Sequence, residues 1–127
     1  MTGYVGKIEE ITLTNNNFRK VLFTSKYMQL VVMSLLPKED IGVEVHDTVD
    51  QFFRVDSGEG KVIMNGETTP FSDGYAFIVP AGTEHNVINT SDNQALKLYT
   101  IYTPPNHPDQ KIHKTREEAM ADEHDHV

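Results

Sequence analysis

Residues 74–89, Gly-Tyr-Ala-Phe-Ile-Val-Pro-Ala-Gly-Thr-Glu-His-Asn-Val-Ile-Asn, set Gly74, Pro80, Gly82, His85 and Asn89 at the spacing G-x5-P-x-G-x2-H-x3-N. Physically this is an apolar strand entering a turn, then a second strand with one histidine near its start. Gly82 tolerates backbone angles that a side chain would forbid, and Pro80 fixes the approach to the turn.

Outward from this segment, short runs with strand character recur at close intervals: Val21 to Thr24, Tyr27 to Leu36, Val43 to His46, Gln51 to Val55, Lys61 to Met64, Tyr75 to Val79, His85 to Asn89 and Leu96 to Tyr102, with a weaker one at Glu10 to Thr14. Asn65-Gly66 is a two-residue hairpin signal. Many short strands separated by turn residues imply an all-β sandwich or barrel. No helical periodicity stands out before residue 104. After Pro104-Pro105, Thr115-Arg116-Glu117-Glu118 has the form of a capping box and predicts one short helix, from about Arg116 to about Glu123. Tyr75, Phe77, Tyr99 and Ile101 are expected in the core.

Residues 74–89 resemble the second signature motif of the cupin superfamily, in which the histidine ligates a metal. The first motif of that family, G-x5-H-x-H-x3-4-E-x6-G, is matched with substitutions when anchored on Gly58. Glu44 falls at the first histidine position, His46 at the second and Gln51 at the acidic one. Alternate strand residues point the same way, so Glu44 and His46 share one face, and Gln51, Phe53 and Val55 share another. The resemblance thus implies a metal set of Glu44, His46, Gln51 and His85, and a fold that is a double-stranded β-helix (cupin jelly-roll barrel) with a short C-terminal helix. It implies a single domain over 1–127, with a barrel core at about 30–102, a C-terminal loop and helix at 104–123 and a tail at 124–127. Residues 44–55 and 104–115 are similar to small single-domain bacterial cupins labelled mannose-6-phosphate-isomerase-like. Such barrels commonly pair, so a homodimer is expected.

Each of these residues has a plainer reading. A lone histidine in a strand is usually an ordinary, partly buried one, and Glu44 alone would be a solvated strand residue. The spacing argues for the set. A charged Glu44 turned into a barrel would also be costly without a cation beside it. With no cysteine in the chain, disulfides and thiolate ligands are excluded, leaving nitrogen and oxygen donors. Two imidazoles, one carboxylate and one amide oxygen suit one divalent transition metal: Mn, Fe, Ni, Co or Zn.

A net charge of −8 over 127 residues argues against binding nucleic acid or an anionic membrane. No leader pattern is visible at the N-terminus, and Leu30 to Leu36, the most apolar segment, is too short to cross a bilayer. A soluble cytoplasmic protein acting on a small molecule is expected. Three functions fit: a metal-dependent isomerase or lyase on a polar carbonyl or sugar-derived substrate, a non-catalytic metal or small-molecule binder, and an iron-dependent dioxygenase. For the first, His107 and His113, between the last strand and the helix, are the candidate proton carriers. Arg54 should point away from the ligand face. The terminal Asp-Glu-His-Asp-His-Val reads as an acidic tail rather than a metal-binding tract.

Overall fold

The strand series folds into two antiparallel sheets that close on one core. In a computed structural model, which describes residues 2–122, the elements run α1 (Ile8–Thr14), β1 (Arg19–Thr24), β2 (Gln29–Leu35), β3 (Asp50–Ser57), β4 (Glu59–Met64), β5 (Glu67–Ser72), β6 (Ala76–Val79), β7 (His85–Asn89), β8 (Leu96–Thr103), β9 (Ile112–His113) and α2 (Arg116–Ala121). The larger sheet has the order β6-β3-β8-β2-β1-β9 and the smaller β5-β4-β7.

Alternation decides what each strand buries. In β3 the inward set is Gln51, Phe53 and Val55; in β8 it is Leu96, Leu98, Thr100 and Tyr102. Tyr102 stands opposite both Gln29 of β2 and Gln51 of β3. One end of the sheet interior is therefore polar, whereas Val31, Met33, Phe53, Val55 and Leu98 fill the layers beyond it. The smaller sheet adds Val62, Phe71 and Val87 from the opposite side.

Turn chemistry closes the pairs. Asn65 and Gly66 take φ of 48° and 83°, and Met64 pairs with Glu67 across them, as a two-residue hairpin requires. At the other end, the Thr115 hydroxyl accepts from the Glu118 N–H and caps α2. Glu118 reaches back to the N–H of Lys114, one residue before the cap. The helix ends at Ala121; its expected extension to Glu123 and the tail at 124–127 lie outside the described residues.

Four expectations need correction. Glu10 to Thr14 is helix, not strand: Ile8, Ile11 and Thr12 fall at i, i+3 and i+4, and this face lies against β2, β3 and β8. Val43 to His46 forms no continuous strand, for a reason given below. Tyr99 and Ile101 lie on the outer face of β8, and Tyr75 is 52% exposed, so the parity of their strands carries other residues inward; Phe77 does pack on the core. Last, β5 and β9 are strands with no apolar signature. In β5 only Phe71 is buried, and β9 is just two residues pairing with β1.

Candidate metal centre

The turn between β6 and β7 sets the first ligand. The Thr83 N–H donates to the Pro80 carbonyl, and Gly82 takes φ +83°, which the third position of a type II turn demands. His85 then opens β7 with its side chain turned inward and 4% exposed. Its Nδ1 lies 2.9 Å from the Thr83 carbonyl oxygen. A carbonyl only accepts, so Nδ1 carries the proton and Nε2 keeps its lone pair. This is the arrangement by which proteins orient a metal-binding imidazole.

Residues 39–44 run along the free edge of β7 as an irregular fourth strand. Ile41 donates to the Val87 carbonyl, and Glu44 and His85 exchange both backbone hydrogen bonds at 2.9 Å. Between them Gly42 has φ +107°, and its N–H turns to the side chain of Asn86. The extra residue is a bulge that shifts the alternation. Ile41 and Glu44, three apart, consequently both face the interior, and His46 follows two residues later. This bulge also interrupts the ladder that a regular Val43 to His46 strand would have made.

Glu44, His46 and His85 converge. One ligand atom from each lies within 4.8 Å of the others, and Glu44 Oε2 is 3.9 Å from His46 Nε2. Donors on opposite sides of one ion stand about 4.2 Å apart at bond lengths of about 2.1 Å, so closing the cluster on a metal takes less than about 1 Å. His46 is 3% exposed, and among the described residues neither ring nitrogen has a hydrogen-bond partner. Gln51, also 3% exposed, gives its amide N–H to Thr100 Oγ1 at 3.0 Å and leaves its amide oxygen buried without a donor. Buried polar atoms left unsatisfied are costly, and a cation held by the cluster would satisfy His46. The residues fit a divalent metal.

Electrostatics agree with an imidazole pair kept neutral. Burial pushes His46 down to about 4, helped by repulsion from His85, His107 and Arg19. His85 is also lowered by burial, with the bond to the Thr83 carbonyl opposing the shift. The folded, metal-free chain therefore excludes a proton at His46 that the unfolded chain takes up below its ordinary value of 6.5. Stability is then full above that pH and falls as the pH drops from 6.5 towards 4, by an amount on the order of 3 kcal/mol if His46 acts alone. Urea midpoints of metal-stripped protein across this range should fall with pH, and a flat profile would contradict the burial of a neutral His46.

A second polar group adjoins the cluster. The Tyr102 ring stands edge-on to His46 at 6.1 Å, and its hydroxyl is 3.1 Å from His107 Nε2. Gln29, wholly buried, clamps the residue that carries this imidazole. Its amide oxygen accepts from the N–H groups of Asn106 and His107, and its amide nitrogen donates to the His107 carbonyl at 2.7 Å and to Thr24. Gln29 went unmarked in sequence because it stands in an apolar run; a glutamine at an inward position of a strand was the available signal. His113 lies elsewhere, buried on β9 between Arg19 and Asp122. Neither loop histidine is a surface residue. Arg54 points outward as expected and pairs with Asp56 at 3.5 Å. A cleft of about 610 Å³ along α1, lined by Lys7, Ile8, Glu9, Glu10, Leu13 and Thr14, lies away from the histidines and offers no convergent donor set.

With this geometry in place, comparison with known proteins decides the family. The family model for the cupin domain matches residues 31–102. The chain belongs to the cupin family. Its barrel is accordingly a double-stranded β-helix, to which β1 and β9 add strands beyond the matched segment. This cupin is similar to YrkC of Bacillus subtilis, with 47% identity covering 94% of this chain and 67% of that protein. It is also similar to the crystal structure of BH2720 from Bacillus halodurans, with 44% identity, a TM-score of 0.91 and 93% of each chain covered. KdgF from Halomonas, 22% identical with a TM-score of 0.63 over 68% of this chain and 77% of that one, shares the fold. Among the described residues no helix is long and apolar enough to cross a membrane.

In this cupin α2 clasps the ligand-bearing loop. Arg116 donates to the Asp40 carbonyl at 2.8 Å and pairs with the Asp40 carboxylate at 2.9 Å. The other carboxylate oxygen accepts from Asn86, whose amide oxygen in turn accepts from Gly42. The chain of contacts runs from the helix to the bulge that aims Glu44. Both ion-pair partners are about one-third exposed, so the pair itself contributes little and the backbone contact most. Arg116→Ala should cost about 1 kcal/mol, read as a lower thermal midpoint; an unchanged midpoint would mean that the clasp is slack.

Proposed function

We propose that this cupin is a metal-dependent enzyme of isomerase or lyase type, acting on a polar carbonyl or sugar-derived small molecule. The observation that carries the reading is the convergence of Glu44, His46 and His85, with the Tyr102 ring, bonded to His107, edge-on to His46. A bound divalent metal would supply a Lewis acid that polarises a carbonyl or hydroxyl oxygen. Glu44, His46 and His85 would hold it, and Gln51 would serve as a weaker fourth ligand or as a hydrogen-bond partner of the site.

The chain's own residues do the rest. The two imidazoles, kept neutral by burial, present lone pairs without first shedding protons. His107, held by Gln29 and facing the Tyr102 hydroxyl, would be the group that takes a proton from substrate and returns it at a neighbouring atom. His113 is committed to Arg19 and Asp122, so this reading gives the proton to His107. The apolar layers of Phe53, Val31 and Leu98 close the barrel beneath the site and exclude water from that side.

Two measurements test the reading together. Elemental analysis of protein purified without a polyhistidine tag should find one divalent transition metal per chain. Keto sugars, uronates and short hydroxy-carbonyl acids should then be screened for turnover that disappears with chelator and returns with that metal. Stoichiometric metal with no turnover across the screen would favour a binding cupin. Iron together with oxygen uptake would favour a dioxygenase. Dimerisation is part of the same proposal, and light scattering reporting a monomer at every concentration would remove it.

A further inference from the structure

Met64, the last residue of β4, stands directly opposite the ligand His85. The hairpin residue Asn65 holds this register. Its N–H donates to the Glu84 carbonyl at 2.8 Å, and its side-chain oxygen accepts from the Glu84 N–H at 3.0 Å. Strand parity sets the direction. In β4, Gly60, Val62 and Met64 alternate towards the core; Val62 is 3% exposed, and Met64 is partly buried against the core cluster. Its side chain therefore projects to the face that carries the His85 imidazole.

The pair is a close one. His85 spends both of its backbone groups on Glu44, so towards Met64 it forms the pair without mutual hydrogen bonds. Such pairs stand about 4.5 Å apart at Cα, against about 5.5 Å for the hydrogen-bonded pair that His85 makes with Glu44. Glu44 crosses the wider gap and still brings a carboxylate oxygen within 4.8 Å of the histidine donors. The Met64 sulfur lies one bond nearer its backbone than that oxygen does, across a gap narrower by about 1 Å. An unbranched thioether also adapts readily to irregular space. Across the smaller sheet the inward row thus reads Glu44, His85, Met64, or carboxylate, imidazole, thioether.

Sulfur changes what the site selects. Carboxylate and imidazole suit a divalent metal, whereas a thioether is a soft donor that favours copper(I). Charge points the same way. Glu44 is the carboxylate of the cluster, and one negative charge balances a monovalent cation but leaves a dication half answered. Unmatched charge in a buried site is costly.

We propose that Met64 Sδ is a further donor of this site and that, with His46 and His85, it holds copper(I) while Glu44 balances the charge. This assignment rests on the proposed metal site for its two imidazoles. The divalent metal draws on Glu44, His46 and His85; copper(I) exchanges the hard oxygen for the soft sulfur.

The test reads binding, not turnover. Untagged, metal-stripped protein would compete with bicinchoninate for copper(I) under argon, and would separately be titrated with manganese(II). Met64→Leu nearly conserves bulk, so the fold should hold. It should weaken copper(I) binding by about tenfold or more, at least what losing a residue that merely supports a ligand costs. Manganese affinity should stay nearly unchanged, because a thioether adds little for a hard ion. X-ray absorption at the copper edge should show a sulfur neighbour in the wild type and none in Met64→Leu. With no cysteine in the chain, that sulfur can come from methionine alone. If Met64→Leu fails to fold, the wild-type spectrum decides, together with the Met64 methyl resonance, which should shift further with copper(I) than with zinc(II). Copper(I) affinity unchanged in Met64→Leu, or copper with nitrogen and oxygen neighbours alone, would overturn the role of Met64 and leave the divalent reading standing. Copper(I) held through Met64 by protein that takes up no divalent metal would uphold Met64 and overturn the divalent reading. Protein that binds neither metal would remove both.

Discussion

His85→Ala and His46→Ala should each lower metal affinity by more than about a hundredfold, and protein carrying either change should emerge from dialysis against a chelator essentially metal-free. The magnitude follows from a bound. Removing a residue that merely orients a ligand typically costs about 10- to 100-fold in affinity, so removing the ligand costs more. Gln51→Ala should lose about tenfold at most, because a neutral amide oxygen is the weakest donor of the set. The two histidines differ in what they leave behind. His46 has no hydrogen-bond partner among the described residues, so its removal opens a cavity and orphans nothing. His85 leaves the Thr83 carbonyl without its donor. Metal-free His46→Ala should therefore remain folded, with a loss of about 2–3 kcal/mol from the cavity. Full metal occupancy in both variants would place the ligands elsewhere in the chain.

How far this site could be read from sequence depended on whether a position obeys local rules. The segment 74–89 does: Gly82 is needed by its turn and His85 opens its strand, so the strand His85–Asn89 carries the bounds expected of it. Glu44 and His46 were expected on one face and are, but not on a regular strand. Their direction comes from the Gly42 bulge and the Asn86 side chain, contacts between segments far apart in sequence. The N-terminal helix was missed because seven residues with Thr at 12 and 14 have weak helical propensity; packing on the sheet compensates. In β8 both faces carry apolar residues, so alternation alone could not tell Leu98 and Tyr102 from Tyr99 and Ile101. Gln29 and Arg19 are polar residues turned inward, and only the folded barrel gives them partners.

The proton-carrying role of His107 leads to the other large effect. Once a substrate is known, His107→Gln should reduce turnover by about 10²–10⁴ at matched metal occupancy, the range for losing a well-placed acid or base. Glutamine nearly preserves the bulk and can still hydrogen-bond to Tyr102, so the loss would report proton transfer rather than collapse of the loop. Tyr102→Phe should fall between this variant and wild type, because it keeps the imidazole but removes the hydroxyl 3.1 Å from it. His113→Gln should leave turnover almost intact and instead lower stability, since it breaks the relay between Arg19 and Asp122. The signature is a fall in kcat with bound metal and substrate affinity nearly unchanged, because a proton carrier acts on the barrier and not on the ground state. A His107→Gln enzyme with wild-type kcat would exclude the imidazole as the carrier. The proton would then have to pass through Glu44, a poorer base while its charge is engaged in holding a cation, or through water at the metal.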